Sequence, residues 1–133
     1  MNQIWADNGL IEGLTDITNR THRYRLYTND FTPTRDTLVG DLTEQVGDGY
    51  ATFDLVDSTA WVLSVNVHQG IAIATPKNFG VAVAPWTIFG IYVTNVAGTV
   101  LYFAMRLDGA PITVAIGDSL THVPIISIFS QAT

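Results

Sequence analysis

Glycine, proline and Asn-Asp pairs interrupt this chain so often that almost every apolar segment is only strand-length. Turn residues stand at Asn29-Asp30, Pro33, Gly47-Asp48-Gly49, Asp57-Ser58, Gly70, Thr75-Pro76-Lys77-Asn78, Pro85, Asn95-Val96-Ala97-Gly98, Asp108-Gly109 and Gly117-Asp118. Each supplies a backbone conformation or a local hydrogen bond that ends regular structure. Between them lie short runs rich in β-branched and aromatic residues.

His22–Thr28 alternates cleanly, with Tyr24, Leu26 and Thr28 on one side and Arg23, Arg25 and Tyr27 on the other. Further strands are expected at Tyr50–Val56, Trp61–Val67, Ile71–Ala74 and Phe79–Ala84. Thr87–Thr94 and Thr99–Leu107 form the strongest pair, a hairpin closed by Gly98. Both are almost continuously apolar, which predicts burial on both faces. Ile112–Ile116 and Leu120–Phe129 complete the set, with Pro124 marking an edge or bulge. About eight to ten short antiparallel strands predict an all-β single domain: a sandwich, jelly roll or small barrel. The 133 residues suit one domain able to bury a real core.

The β domain is expected over residues 22–133. Residues 1–21 are expected to be an N-terminal arm. Within it, Asp7–Asn19 is read as at most one short turn, because Gly9 and Gly13 oppose a helix. Ile4, Trp5, Leu10, Ile11 and Leu14 would then reach onto another chain. On that expectation, deleting residues 1–20 weakens association and leaves the β fold intact.

Charge is distributed unevenly. Residues 1–57 hold ten acids and four arginines, whereas residues 58–133 hold only Asp108, Asp118, Lys77 and Arg106. A quarter of residues is the usual charged share. A surface so poor in ions is expected to be covered by other chains, in an oligomer or a larger assembly. The net charge of −6 disfavours nucleic acid, whose phosphates need clustered cations. No run approaches the roughly 20 apolar residues of a membrane helix, and Met1–Asp7 carries no signal-peptide pattern. Cysteine is absent, so neither disulfides nor thiolate metal sites arise.

No catalytic constellation emerges. His22, His68 and His122 lack zinc-site spacing, and the acids lack the spacing of a calcium loop. No metal or cofactor is expected. Gly117-Asp118-Ser119-Leu120 matches the letters of the GDSL hydrolase motif, but that motif needs a larger α/β domain and a distant base. Here it reads as a turn between strands. An exposed cluster of Trp61, Trp86 and Tyr50 would suit sugar stacking; core packing and interface anchoring are the simpler role for such aromatics. Trp61 and Trp86 therefore join the candidate interface residues.

Several segments in order resemble small virion-associated structural proteins of tailed bacteriophages. They are Leu26–Pro33, Leu42–Glu44, Gly49–Ala51, Thr87–Thr94, Leu101–Asp108 and Gly117–Leu120, spread over residues 24–128. Met1–Thr21 lies outside the resemblance, which is weak from Ser58 to Pro85. The resemblance implies a structural role and no catalysis: a head decoration (cement) protein, or a fibre-associated piece. The expected product is a homo-oligomer, a trimer by preference, made in the host cytoplasm and bound to the major capsid protein or another virion protein on the capsid surface. A tail or fibre module binding host-surface glycan is the alternative.

Overall fold

A computed structural model describes residues 6–66 and 69–129. Among the described residues one α-helix, α1 (Asp7–Thr18), precedes eleven strands. These are β1 (His22–Tyr27), β2 (Phe53–Leu55), β3 (Trp61–Asn66), β4 (Gln69–Ala74), β5 (Lys77–Asn78) and β6 (Trp86–Ile88). They continue as β7 (Gly90–Thr94), β8 (Leu101–Arg106), β9 (Ile112–Val114), β10 (Thr121–His122) and β11 (Ile125–Phe129). The expected class is correct: the described chain is mostly β, and its named strand pairs within each unit are antiparallel.

The single expected domain resolves into two compact units, because the chain crosses between them repeatedly. The first comprises Met1–Thr21, Leu55–Lys77 and His122–Thr133; the second comprises His22–Asp54 and Asn78–Thr121.

In the first unit, β11, β4 and β3 form a three-stranded sheet in that order. Ile125, Ile73 and Val62 lie opposite one another, as do Ile128, Gly70 and Val65. Residues alternate between faces along each strand, so Trp61, Gly70, Ala72, Ala74 and Ile128 share one face. Helix α1 covers that face. Leu10, Leu14 and Thr18 recur at one helical face and are buried. Gly70 gives the helix room: a Cβ there would stand 3.0 Å from Leu14 Cδ1 and 3.4 Å from Leu10 Cβ.

This helix corrects the reading of residues 1–21 as an arm. Over Asp7–Thr18 the segment is three turns of helix packed on the chain's own sheet. Two glycines in the helix cost about 1 kcal/mol each. Burying Leu10 and Leu14 returns about 2 kcal/mol each, so tertiary packing overrides propensity. Gly13 also lies against the sheet, where a Cβ would come 3.4 Å from Ile128 Cδ1.

In the second unit, β2, β1, β7 and β8 form a four-stranded sheet in that order. Tyr24 opposes Val93 and Leu26 opposes Ile91, and all four are buried. Tyr24 stacks on Phe53 at 4.8 Å, and Phe53 meets Phe79 at 4.9 Å. Trp86 and Ile88 come from the β6–β9 ribbon and are fully enclosed. On the sheet's other face, Tyr27, Leu42 and Tyr92 form a second cluster with Phe31, Phe89, Leu101 and Ala104. The expected hairpin forms between β7 and β8; β7 is buried throughout, whereas β8, at the sheet's edge, is only half-buried.

Four expected strands are broken; Thr87–Thr94 divides at Phe89 into β6, which pairs with β9, and β7, which pairs with β1 and β8. Phe79–Ala84 is no strand in the structure: Gly80, at φ +91°, makes an isolated bridge to Tyr50. That same crossing delays the strand expected from Tyr50 until Phe53. Leu120–Phe129 divides at Pro124 into β10 and β11, since proline lacks the amide a ladder needs.

Candidate interaction surface

The face of the first unit's sheet turned away from α1 carries Val62, Ile73 and Ile125 in one row. They are 74%, 42% and 51% exposed. Val123, two residues before Ile125, is also exposed. The next row is Ser64, Ile71 and Ser127. No ionised side chain occurs within β3, β4 or β11. An uncharged apolar strip bordered by hydroxyls is the make-up of an interface core and its rim.

A second apolar group lies on loops of the other unit. The Val83 amide donates to the Asp48 carbonyl at 2.9 Å, and the Gly117 amide donates to the Ala82 carbonyl at 2.8 Å. The Ala82 amide donates to the Asp118 carbonyl. These bonds tie three loops together, and the loops present Val46, Val81, Val83 and Ile116 to solvent. Twelve large hydrophobic side chains are exposed among the described residues, and nine of them follow Asp57. The exposed aliphatics are therefore concentrated in the ion-poor stretch.

Six of the second unit's ions form three pairs. Arg23 binds Asp54 bidentately, at 2.8 Å for each bond. Arg25 donates to Glu44 at 2.9 Å and to the Thr94 hydroxyl at 2.9 Å. The Tyr50 hydroxyl donates to the other Glu44 oxygen at 2.7 Å and accepts the Leu26 amide at 3.1 Å. Burial, with the Glu44 hydrogen bond second, pushes the Tyr50 phenol well above its ordinary value. These groups are positioned to hold β1, β2 and residues 44–50 together. Arg106 pairs with Asp30 at 2.7 Å and lies over the Phe89 ring.

Two expectations follow. Tyr50→Phe leaves the Leu26 amide and one Glu44 oxygen without their partner, and should cost about 2 kcal/mol in a denaturant melt. The Arg23 guanidinium holds the Asp54 carboxyl below its ordinary 3.8. A carboxyl whose folded value is depressed stabilises the fold above the unfolded value, and that stability is lost as pH falls through the folded one. Stability measured from pH 5 downward should therefore drop below about pH 4, and Asp54→Asn should flatten that drop.

Of the residues read as interface from sequence, Ile4 and Trp5 lie outside the described residues. Leu10 and Leu14 are interior to the first unit, and Ile11 is half-buried. Trp61 is 6% exposed. Trp86 is 1% exposed, its indole N–H donating to the Asp48 carbonyl at 2.9 Å and its ring meeting Tyr50 edge-on. Leu10, Leu14, Trp61 and Trp86 are core residues in this chain, which corrects their placement on the surface. The large aromatic side chains lie inside, whereas the smaller aliphatics are the exposed ones. The signal for Val62, Ile73 and Ile125 was present: β3, β4 and β11 carry apolar residues in both phases of the alternation, and one helix can cover only one face.

His22 is buried against the Tyr102 ring at 5.1 Å, and burial lowers the His122 imidazole from its ordinary value. His68 lies outside the described residues. No group of three or more His, Cys, Asp or Glu able to hold a metal occurs among the described residues. Gly117-Asp118 is a turn, with Gly117 at φ +87° and the Asp118 amide donating to the Ala115 carbonyl. A groove of about 360 Å³ runs between Pro33–Thr37 and Leu101–Ala104, beside the edge strand β8. No family model, curated protein or solved structure matches this chain.

Proposed function

We propose that this chain is a structural protein of a tailed-phage type of virion, a head decoration (cement) protein acting through protein–protein contacts. The observation that carries the reading is the concentration of exposed aliphatics in residues 58–133, where only four side chains are ionised. The sequence resemblance supplies the kind of assembly.

The energetics suit a lattice. Burying a half-exposed valine or isoleucine gains about 1 kcal/mol. The three-residue row on β3, β4 and β11 thus supplies roughly 3 kcal/mol, against an association cost of about 4–15 kcal/mol. One patch alone binds weakly. Weak patches suffice where the partner is a repeating surface that many copies coat together. A cement protein meets that condition, since it bridges neighbouring capsid subunits. The glycan-binding alternative loses its platform, because Trp61 and Trp86 are enclosed in the core.

The test is composition. Particles purified by density gradient from cells producing the chain should contain it in a fixed ratio to the major capsid protein. Recovery of the chain only in the soluble fractions contradicts the reading.

A further inference from the structure

We propose that the open edge of β8 receives an added strand: an extended, acid-bearing peptide segment of a partner protein, laid in the groove beside Pro33–Thr37. The site lies wholly in the second unit and uses none of the exposed aliphatics on which the assembly reading rests.

Strand β8 ends the four-stranded sheet on one side, with β7 as its neighbour. The Leu107 amide donates to the Phe89 carbonyl at 3.0 Å. Directly opposed residues of an antiparallel pair alternate between bonded and unbonded positions. Arg106 opposite Gly90 and Ala104 opposite Tyr92 are therefore the unbonded ones. Their backbone amides and carbonyls point away from β7, and among the described residues no other group meets them. Such groups recur at every second residue, the spacing at which another extended chain offers its own.

Native sheet edges are blunted by charge, proline, bulges or brevity. At the opposite edge, β2 is three residues long and carries Asp54. β8 is six residues long, with no ion or proline from Leu101 to Met105. Its one ion, Arg106, is turned onto Asp30 and the Phe89 ring. The bulge opposite Val93 and Thr94 falls at the start of the strand and leaves Phe103–Arg106 in register.

The groove beside this edge has a volume of about 360 Å³. Pro33, Thr34, Arg35 and Thr37 wall one side, and Leu101–Ala104 the other. Ligand sites run from roughly 300 to 1,000 Å³, so the groove holds a short stretch of chain and no globular body. Its charge has one sign. Arg35 is exposed and makes no ion pair among the described residues, whereas Arg23, Arg25 and Arg106 are each paired. No acid lines the groove. A carboxylate on the incoming strand would meet the Arg35 guanidinium with charge-assisted hydrogen bonds, and a basic strand would be repelled by it.

Selection from a library of random peptides about ten residues long, with the full chain as bait, tests the site. Selected peptides should carry an acid among alternating β-branched or aromatic residues. Their binding should shift the amide resonances of Ala104 and Arg106. Arg35→Ala should weaken binding about tenfold or more, with the circular dichroism of the wild type retained. Methyl groups on the amides of alternate peptide residues should abolish binding, while methyl groups on the residues between leave it intact. Only strand pairing gives that contrast, and it leaves the protein unaltered. No selected peptide, selected peptides without acids, an Arg35→Ala variant that binds as the wild type does, or equal tolerance of methyl groups in both phases overturns the inference. Presence or absence of the chain in purified particles is a separate result and bears on the assembly reading alone.

Discussion

Leu14→Ala should destabilise the protein by about 3 kcal/mol and lower its melting temperature by roughly 10 °C. Leu14 is fully buried, and its Cδ1 faces Gly70, where the backbone of β4 has no side chain to shift into a void. The cavity left by the substitution cannot collapse, which places the cost within the usual range for a deleted core leucine. Truncation through Asn19 should have the same effect in stronger form. It would strip the cover from Ala72, Ala74 and Trp61, and hydrogen exchange in β3 and β4 should rise to the rate of an open sheet. An exposed arm predicts otherwise: Leu14→Ala would then fall within about 0.5 kcal/mol of wild type, and the truncated chain would melt normally. Calorimetry of the two proteins separates these outcomes.

Gly80→Ala and Gly49→Ala should each cost about 4 kcal/mol, the sum of left-handed strain and backbone crowding. Gly49 and Gly80 have φ of +85° and +91°. A Cβ on Gly80 would lie 2.2 Å from the Gly49 carbonyl oxygen, and one on Gly49 would lie 2.0 Å from that of Val81. The obstacle is main chain in both cases, so no rotamer change relieves it. Gly117→Ala is the control. Gly117 has φ +87° but nothing within 4 Å of its added Cβ, so it should lose only about 1–2 kcal/mol. Equal losses at all three positions would mean that the close approach of Gly49 and Gly80 is not maintained in solution.

The strands were legible where the residues alternate cleanly or where a turn joins two apolar runs. In β1 the order Arg23, Tyr24, Arg25, Leu26 states which side faces the core, and the structure buries Tyr24 and Leu26. The β7–β8 hairpin was equally clear, because Asn95 to Gly98 connects two apolar runs directly. The features that the sequence conceals depend on distant partners. Gly80 reads as an ordinary strand residue until Gly49 is brought against it. The helix is hidden by its glycines, one of which is explained only by Ile128, more than a hundred residues onward. The division into two units follows from pairing β4 with β11 and β1 with β7, pairings that no local pattern encodes. The ion-poor stretch was visible at once, yet its exposed members were not. Aromatic size suggested Trp61 and Trp86, while solvent meets Val62, Ile73, Val83 and Ile116.

Carbene footprinting of the chain in its native assembly, compared with the dissociated chain, tests the central claim most directly. Carbenes label aliphatic side chains wherever solvent reaches them. Protection of Val62, Ile73 and Ile125, together with Val83 and Ile116, is the expected result, while Leu38 and Val56 in the charged stretch label alike in both. Equal labelling of all seven in the two states would contradict the account.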